Sequence, residues 1–289
     1  MTAPRLLVVQ NADSDPVGRL GDWLTAAGLD LELLRPYDGA ALPSDLDGYD
    51  GLLVLGGGMS ATDDAATPWL PHVRALLRDA VSREVPTLGV CLGAQLLATA
   101  NGGRVSPNPD GPEFGAQLIG KRQACSGDPL FGPLPITPDV IQWHFDAIDQ
   151  LPRGAVQLAS SPGCDNQAFR LGRLAWGIQF HIETTPELVR DWAATDARAL
   201  EGYDVERMLN RSDAVHDDLV EVWQPFISAF ADVVRDPSSI TSSQAVATST
   251  AAPITDPAAI RAALAAELTA SRSGATALPM PGLRQPGHD

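Results

Sequence analysis

One cysteine lies where a strand-like segment turns sharply into a helix-like segment. Residues 85–90 are mostly apolar, and Cys91 follows them between Gly89 and Gly93 in a Gly-x-Cys-x-Gly pattern. Flanking glycines permit a strained turn that lifts a nucleophilic side chain clear of a sheet. The helix start favours a thiolate there, and the backbone N–H of Leu92 is free to donate to a developing oxyanion. The pattern indicates a nucleophile, although a buried structural cysteine also fits a strand–helix turn.

A histidine and a glutamate end a later strand-like segment. Residues 175–180 predict a strand, and His181 and Glu183 follow it directly. Residues two apart on a strand point to the same face, so the two side chains are expected to meet. A carboxylate beside an imidazole fixes its tautomer and stabilises its charged form. We therefore predict Cys91 as nucleophile, His181 as base and Glu183 as the group that orients the base.

A second pair competes for the same role. His144 and Asp146 have the same His-x-acid spacing, so His144 is an alternative base. The two pairs together also offer the two imidazoles and two carboxylates of a metal site. We predict no metal, because a metal site would leave the glycine-flanked cysteine unexplained.

The elements that must position these residues alternate along the first part of the chain. Short apolar runs predict strands, and amphipathic runs predict helices between them. The predicted strands are residues 6–9, 29–34, 51–55 and 85–90, and the predicted helices are residues 16–28, 68–83 and 94–100. Such alternation is typical of an α/β fold with an open, mostly parallel twisted sheet and flanking helices.

Strands dominate the next part, and helices return after it. The segments 117–121, 140–143, 156–159, 168–171 and 175–180 predict a small antiparallel sheet within the same domain. A threonine and a proline at 185–186 predict a helix start, and helical patterns continue to about residue 234. We expect one domain over residues 1–235. Residues 236–289 contain no aromatic residue, so we expect a disordered tail with a possible short helix at 256–270.

Composition limits the partners and the compartment. The net charge of -16 argues against nucleic acid and anionic membranes, since both would repel the chain. Three cysteines are too few and too scattered for a disulfide framework, and no Cys-x-x-Cys pair indicates zinc. The first residues lack the pattern of a signal peptide, and no apolar run approaches the roughly 20 residues of a membrane span. A cytoplasmic enzyme is the expected class.

With these positions in view, residues 5–230 resemble the class I, triad-type glutamine amidotransferases. The resemblance is strongest to free-standing members similar to the amidotransferase domain of GMP synthetase. It is carried by residues 89–95, Gly-Val-Cys-Leu-Gly-Ala-Gln, and residues 177–183, Gly-Ile-Gln-Phe-His-Ile-Glu. It implies a flavodoxin-like sheet, no cofactor, and glutamine or a γ-glutamyl compound as substrate. The family mechanism would form a γ-glutamyl thioester on Cys91 and release ammonia.

The resemblance also implies roles for further residues. The loop at residues 55–60 is similar to the family's oxyanion loop, which makes the N–H of Gly57 the second oxyanion donor beside Leu92. The substrate contacts that it implies are Gln95, Gly58, His144 and Asp146. Phe145 departs from the pattern, because the family commonly has glycine between that histidine and aspartate.

The acceptor of the ammonia stays open. Family members usually deliver ammonia to a synthase domain or subunit, but this chain shows no phosphate-binding Gly-x-x-x-x-Gly-Lys loop. The acceptor is then another polypeptide, or the enzyme is a simple hydrolase of glutamine or γ-glutamyl compounds. A catalytically silent protein that binds glutamine or a partner is a further alternative. So is a flavodoxin-like cysteine branch that uses a carboxylate from an early strand, for which residues 10–13 are poor candidates.

Overall fold

The structure is a computed structural model that describes residues 2–240 of the 289-residue chain. Its helices are α1 (Gly18–Ala26), α2 (Leu70–Ser82), α3 (Leu92–Ala100), α4 (Pro186–Thr195) and α5 (Val205–Arg235). Its strands are β1 (Arg5–Val9), β2 (Asp30–Leu34), β3 (Gly51–Val54), β4 (Thr87–Val90), β5 (Arg104–Pro107), β6 (Glu113–Leu118), β7 (Gly120–Lys121), β8 (Asp139–His144), β9 (Asp146–Gln150), β10 (Val156–Ser160), β11 (Ala168–Leu171) and β12 (Ala175–Ile178). Each helix of residues 2–240 is too short or too polar to span a bilayer.

The main sheet has eight strands in the order β2-β1-β3-β4-β12-β11-β10-β7. The five strands from β2 to β12 pair in parallel. Four of them were predicted from the strand–helix alternation, whereas β12 comes from the segment at 175–180 that was expected in the antiparallel sheet. The remaining three strands extend the sheet in antiparallel pairing. Two separate antiparallel ribbons, β5 with β9 and β6 with β8, lie outside it. The predicted α/β fold with a mostly parallel sheet is confirmed, and the antiparallel part is divided between the main sheet and these ribbons.

Both faces of the parallel strands are buried because helices cover both. Leu6 and Val8 of β1 join a core cluster that includes residues of α1, α4 and α5. Leu7 and Val9 alternate with them and join a second cluster with α2 and α3. Successive side chains of a strand point to opposite faces, so a continuous apolar run is what a doubly covered strand requires.

Several predicted boundaries differ from the structure. The strand expected at 175–180 ends at Ile178, and β5 and β9 come from segments that carried no strand prediction. The helical region after 205 is one 31-residue helix that contains Pro225. The helix expected at 256–270 lies outside the described residues, so the division at 235 stays a prediction.

Candidate active site

Cys91 occupies the turn between β4 and α3 with a strained backbone. Its φ of 50° and ψ of −108° lie outside the regions that residues with a Cβ prefer. The turn is tight because a Cβ at Gly89 would lie 2.6 Å from the backbone of Gly93, and a Cβ at Gly93 would collide with the carbonyl of Val54. The strain aims the thiol away from the sheet, as the glycine pattern predicts.

His181 and Glu183 form a buried pair in the loop that follows β12. Nδ1 of His181 lies 2.6 Å from Oε1 of Glu183, and each side chain is about 1–2% exposed. The strand expected to carry them ends earlier, at Ile178. Backbone hydrogen bonds in both directions between His181 and Ile141 of β8 hold the base.

The electrostatics of His181 favour its charged form. Burial by itself lowers the pKa of the imidazole. The charge of Glu183, the charge of Cys91 and hydrogen bonds to both raise that pKa by more than burial lowers it. The net pKa lies well above the ordinary value of 6.5. A protonated His181 can give its proton to a leaving group.

A cavity of about 360 Å³ opens over Cys91 and His181. Gly57 and Gly58, which follow β3, line it, and the position of Gly57 is so close to α3 that a Cβ there would lie 2.9 Å from Cδ2 of Leu92. Leu92 is the first residue of α3, so its N–H has no carbonyl one helical turn earlier to bond. Gly57 therefore lies at the cavity and against Leu92, and their roles as oxyanion donors stay a prediction.

Glutamine side chains link the cysteine to the floor of the cavity. Nε2 of Gln179 lies 3.6 Å from Sγ of Cys91, and its Oε1 accepts a hydrogen bond from Gln95 at 3.1 Å. Gln95 also donates to the backbone carbonyl of Asp146 at 3.1 Å. Gln95 therefore bridges α3 and the start of β9, and Gln179 is a contact that the sequence patterns did not single out.

The sequence model of the family "Glutamine amidotransferase class-I" matches residues 20–191. That stretch is more than half of the chain and contains Cys91, His181 and Glu183. The chain belongs to the class-I glutamine amidotransferase family. The predicted resemblance is thereby confirmed at the level of the family.

The curated relatives of this family member have different names. This chain is 31% identical over 188 residues to the glutamine amidotransferase-like protein YfeJ of Salmonella typhimurium. The match covers 64% of this chain and 78% of YfeJ. The chain is 36% identical to a GMP synthase of Christiangramia forsetii over 52% of this chain, but only 27% of that protein is matched. It is 29% identical to gamma-glutamyl peptidase 3 of Arabidopsis thaliana over 56% of this chain and 66% of that protein.

A solved structure supports the fold. The crystal structure of a glutamine amidotransferase from Thermotoga maritima superimposes with a TM-score of 0.71 and 27% identity. The superposition covers 82% of this chain and 100% of the other. The flavodoxin-like sheet with flanking helices is therefore shared with an amidotransferase.

His144 of the amidotransferase lines the cavity but has both ring nitrogens occupied. Nδ1 bonds the backbone carbonyl of Asp146 at 2.9 Å, and Nε2 bonds a carboxylate oxygen of Glu113 at 3.0 Å. Glu113 also accepts from Ser161 and Gln167. His144 as a substrate contact stays a prediction, while the hydrogen bonds show how it holds the backbone of the Asp146 loop.

Phe145, the departure from the family pattern, lies at the rim of the cavity. Its side chain is about half exposed and contacts Phe114 edge to face at 5.4 Å. Phe114 contacts the half-exposed ring of Tyr203 in the same way. The ring therefore adds an apolar surface at the cavity mouth, next to Asp146.

Glu113, His144 and Cys164 are close enough to be considered as metal ligands. Burial raises the pKa of the Cys164 thiol to about 12, so the thiol stays protonated. Glu113 is already the acceptor of three hydrogen bonds. Hydrogen bonding accounts for this cluster, and we assign no metal to it.

Two carboxylates in the cavity were not singled out by the sequence patterns. Asp15, in the loop after β1, and Asp196, at the end of α4, line the cavity together with Trp192. Trp192 contacts the ring of His181 at 4.7 Å between centroids and donates from Nε1 to the carbonyl of Ser14 at 2.8 Å. Asp15 is two residues beyond the segment weighed for an early carboxylate, and no local motif marks it.

Proposed function

We propose that this amidotransferase hydrolyses a γ-glutamyl amide, with glutamine as the simplest substrate, through a thioester on Cys91. The observation that carries the proposal is the position of Cys91 and His181 at one cavity, with His181 held by Glu183. Family membership and the strained backbone at Cys91 support it. No cofactor is part of the proposal.

The first half of the reaction makes the thioester. The Cys91 thiolate attacks the side-chain carbonyl carbon, and the N–H groups of Gly57 and Leu92 stabilise the resulting oxyanion. His181 gives its proton to the departing nitrogen as the carbon–nitrogen bond breaks. Ammonia leaves when glutamine is the substrate, and the γ-glutamyl group remains on sulfur.

The second half restores the enzyme. His181, now neutral, accepts a proton from water as that water attacks the thioester carbonyl. The carbon–sulfur bond breaks, glutamate leaves, and the thiolate–imidazolium pair forms again. Glu183 keeps Nδ1 of His181 engaged throughout, so that Nε2 is the nitrogen that exchanges protons with the substrate.

The destination of the nitrogen has two candidates. The GMP synthase relative favours a synthase partner that uses ammonia, because the matched part is only 27% of that protein. The gamma-glutamyl peptidase relative favours direct hydrolysis of larger γ-glutamyl compounds. The rim formed by Phe145 and the carboxylates beside His181 favour the second candidate, since ammonia alone would not use them.

We place the enzyme in the cytoplasm, and we propose no nucleic-acid or membrane partner for a chain of net charge -16.

The test is glutamate release from L-glutamine and from a γ-glutamyl anilide by the purified protein. Cys91→Ser should lower the rate by at least about a thousandfold, because the nucleophile is removed. Cys125→Ser is the matched control, since Cys125 is buried away from the cavity. Undiminished release by Cys91→Ser would refute the thioester.

A second readout covers the case of a slow or silent enzyme. A chloroketone analogue of glutamine should alkylate Cys91, and excess glutamine should protect it. Failure of the analogue to modify Cys91, together with no turnover of either substrate, would refute the proposed function.

A further inference from the structure

The wall of the cavity beside His181 is acidic. Asp15 is 9% exposed, and a Cβ at Gly56 would lie 2.5 Å from its Oδ1 and 3.2 Å from Cε1 of His181. Asp196 lines the same cavity, and its charge acts on Asp15. We call Asp15 and Asp196 the acidic wall.

The acidic wall lies where the leaving group must be. His181 has to reach the departing nitrogen to protonate it, so whatever is attached to that nitrogen lies next to His181. Trp192 contacts His181 at 4.7 Å between ring centroids, and Trp143 donates from Nε1 to Asp196 at 2.8 Å. Aromatic rings and carboxylates therefore line the cavity that His181 also lines.

Burial raises the pKa of Asp15, and the charge of His181 opposes that effect without cancelling it. Asp15 accepts a side-chain hydrogen bond from the neutral hydroxyl of Ser14 at 2.6 Å, and its other oxygen accepts none from residues 2–240. Asp196 follows the C-terminal end of α4, where the helix dipole disfavours a negative charge. Among the described residues, no lysine or arginine lines the cavity, whereas Asp15, Asp146 and Asp196 all do.

A ligand with its own positive charge would supply the acidic wall with a further cationic partner besides His181. We propose that the acidic wall is a leaving-group subsite for a cationic amine, so that the preferred substrates are γ-glutamyl amides of diamines or polyamines. A protonated amine can pair with the carboxylates and lie against the tryptophan rings. A γ-glutamyl peptide instead places the carboxylate of its leaving amino acid against Asp15, and like charges repel there.

The reaction is that of the proposed function, on which this inference rests. The thiolate of Cys91 forms the bond to the carbonyl carbon, the carbon–nitrogen bond breaks, and His181 supplies the proton to the departing amine. Water then releases glutamate from the thioester. The free amine and glutamate are the products, and no further reactant is required.

Three amides of matched length test the charge preference. The leaving groups are 1,4-diaminobutane, which is cationic, n-pentylamine, which is neutral, and 4-aminobutyrate, which is anionic. We expect kcat/KM to fall in that order, with about a tenfold or greater difference between the first and the last. Equal values, or a preference for the anionic amide, would overturn the proposal.

Charge variants assign the preference to the wall. Asp15→Asn and Asp196→Asn should each reduce the ratio between the cationic and the neutral amide by about threefold or more. Asp13→Asn is the control, because Asp13 is an exposed aspartate of the same loop that bonds Tyr37 and does not line the cavity. If Asp15→Asn slows all three amides by one factor, Asp15 acts on His181 instead and the proposal is wrong.

Binding separates this inference from the proposed function. Calorimetric titration of Cys91→Ala with the three amides measures the charge preference without turnover. If Cys91→Ala binds the cationic amide more tightly than the other two, and the wild type hydrolyses none of the three, the subsite stands and the hydrolase is refuted. Equal affinity for the three, with hydrolysis intact, would refute the subsite and leave the hydrolase standing.

Discussion

Nε2 of His144 lies 3.0 Å from a carboxylate oxygen of Glu113, and Nδ1 of the same ring bonds the carbonyl of Asp146 at 2.9 Å. The pair is buried and is separate from that of His181 and Glu183. The pair ties the backbone of Asp146, at the start of β9, to Glu113 of β6.

Glu113→Ala tests what this second pair does. It leaves His144, Ser161 and Gln167 without their acceptor in a buried region, so the free energy of unfolding should fall by about 3 kcal/mol or more. Glu113→Gln, which keeps the size and one acceptor, should lose less. Urea unfolding measures both, with the exposed Glu201→Ala as control.

Enzyme kinetics of Glu113→Gln, the more stable variant, test the link to the cavity. His144 should hold the backbone of Asp146 less firmly there, so KM should rise more than kcat falls. An effect on kcat alone would contradict this role.

Glu183→Gln should change stability in a pH-dependent way. Burial lowers the pKa of His181, but the charges of Glu183 and Cys91 raise it well above 6.5 overall. The folded chain thus keeps a proton on His181 that the unfolded chain loses. The contribution of this proton to the free energy of unfolding is complete below about pH 6.5 and vanishes as pH rises through the folded-state pKa. Removal of the Glu183 charge should therefore cost more unfolding free energy near pH 6 than at alkaline pH.

Urea titrations of the wild type and Glu183→Gln at several pH values measure that difference. Glu201→Gln serves as the matched substitution at an exposed glutamate. A loss that is independent of pH, or that grows as pH rises, would show that Glu183 does not act through the proton on His181.

Alkylation should distinguish the three cysteines. Burial raises the pKa of Cys125 to about 11 and that of Cys164 to about 12, so both are thiols at neutral pH. Cys91 lines the open cavity beside His181, so a small reagent has access to its sulfur. Iodoacetamide near pH 7 should modify one residue, Cys91, in the folded protein and all three in urea. Mass spectrometry of the peptides reads the result, and faster modification of Cys164 than of Cys91 would contradict it.

Two glycines near the site should differ sharply in tolerance. A Cβ at Gly93 would collide with the carbonyl of Val54, whereas one at Gly58 meets no atom within 4 Å. Gly93→Ala must push α3 away from β3, so we expect a loss of about 3 kcal/mol of unfolding free energy. Gly58→Ala should stay within about 0.5 kcal/mol of the wild type. Thermal and urea unfolding compare them, and similar losses in both would show that the elbow is looser than the structure indicates.

The alternation of strands and helices was readable from the sequence because each element leaves a local periodic pattern. The apolar run in β1 and the amphipathic pattern in α2 depend only on which faces must be buried. The segment after β12 was not readable to the residue. His181 is bonded to Ile141 of a separate ribbon, and local sequence carries no trace of such a distant backbone pairing.

The residues around Cys91 could be recognised because a tight strand–helix turn requires small residues such as Gly89 and Gly93 next to it in the sequence. The sequence by itself determined the family and the mostly parallel sheet, and it pointed to Cys91, His181 and Glu183. Only the tertiary structure decided that Asp15 and Asp196, 181 positions apart, share a cavity wall, and that His144 is engaged by Glu113. These relationships join side chains from separate strands and loops, so they depend on packing and not on any spacing along the chain.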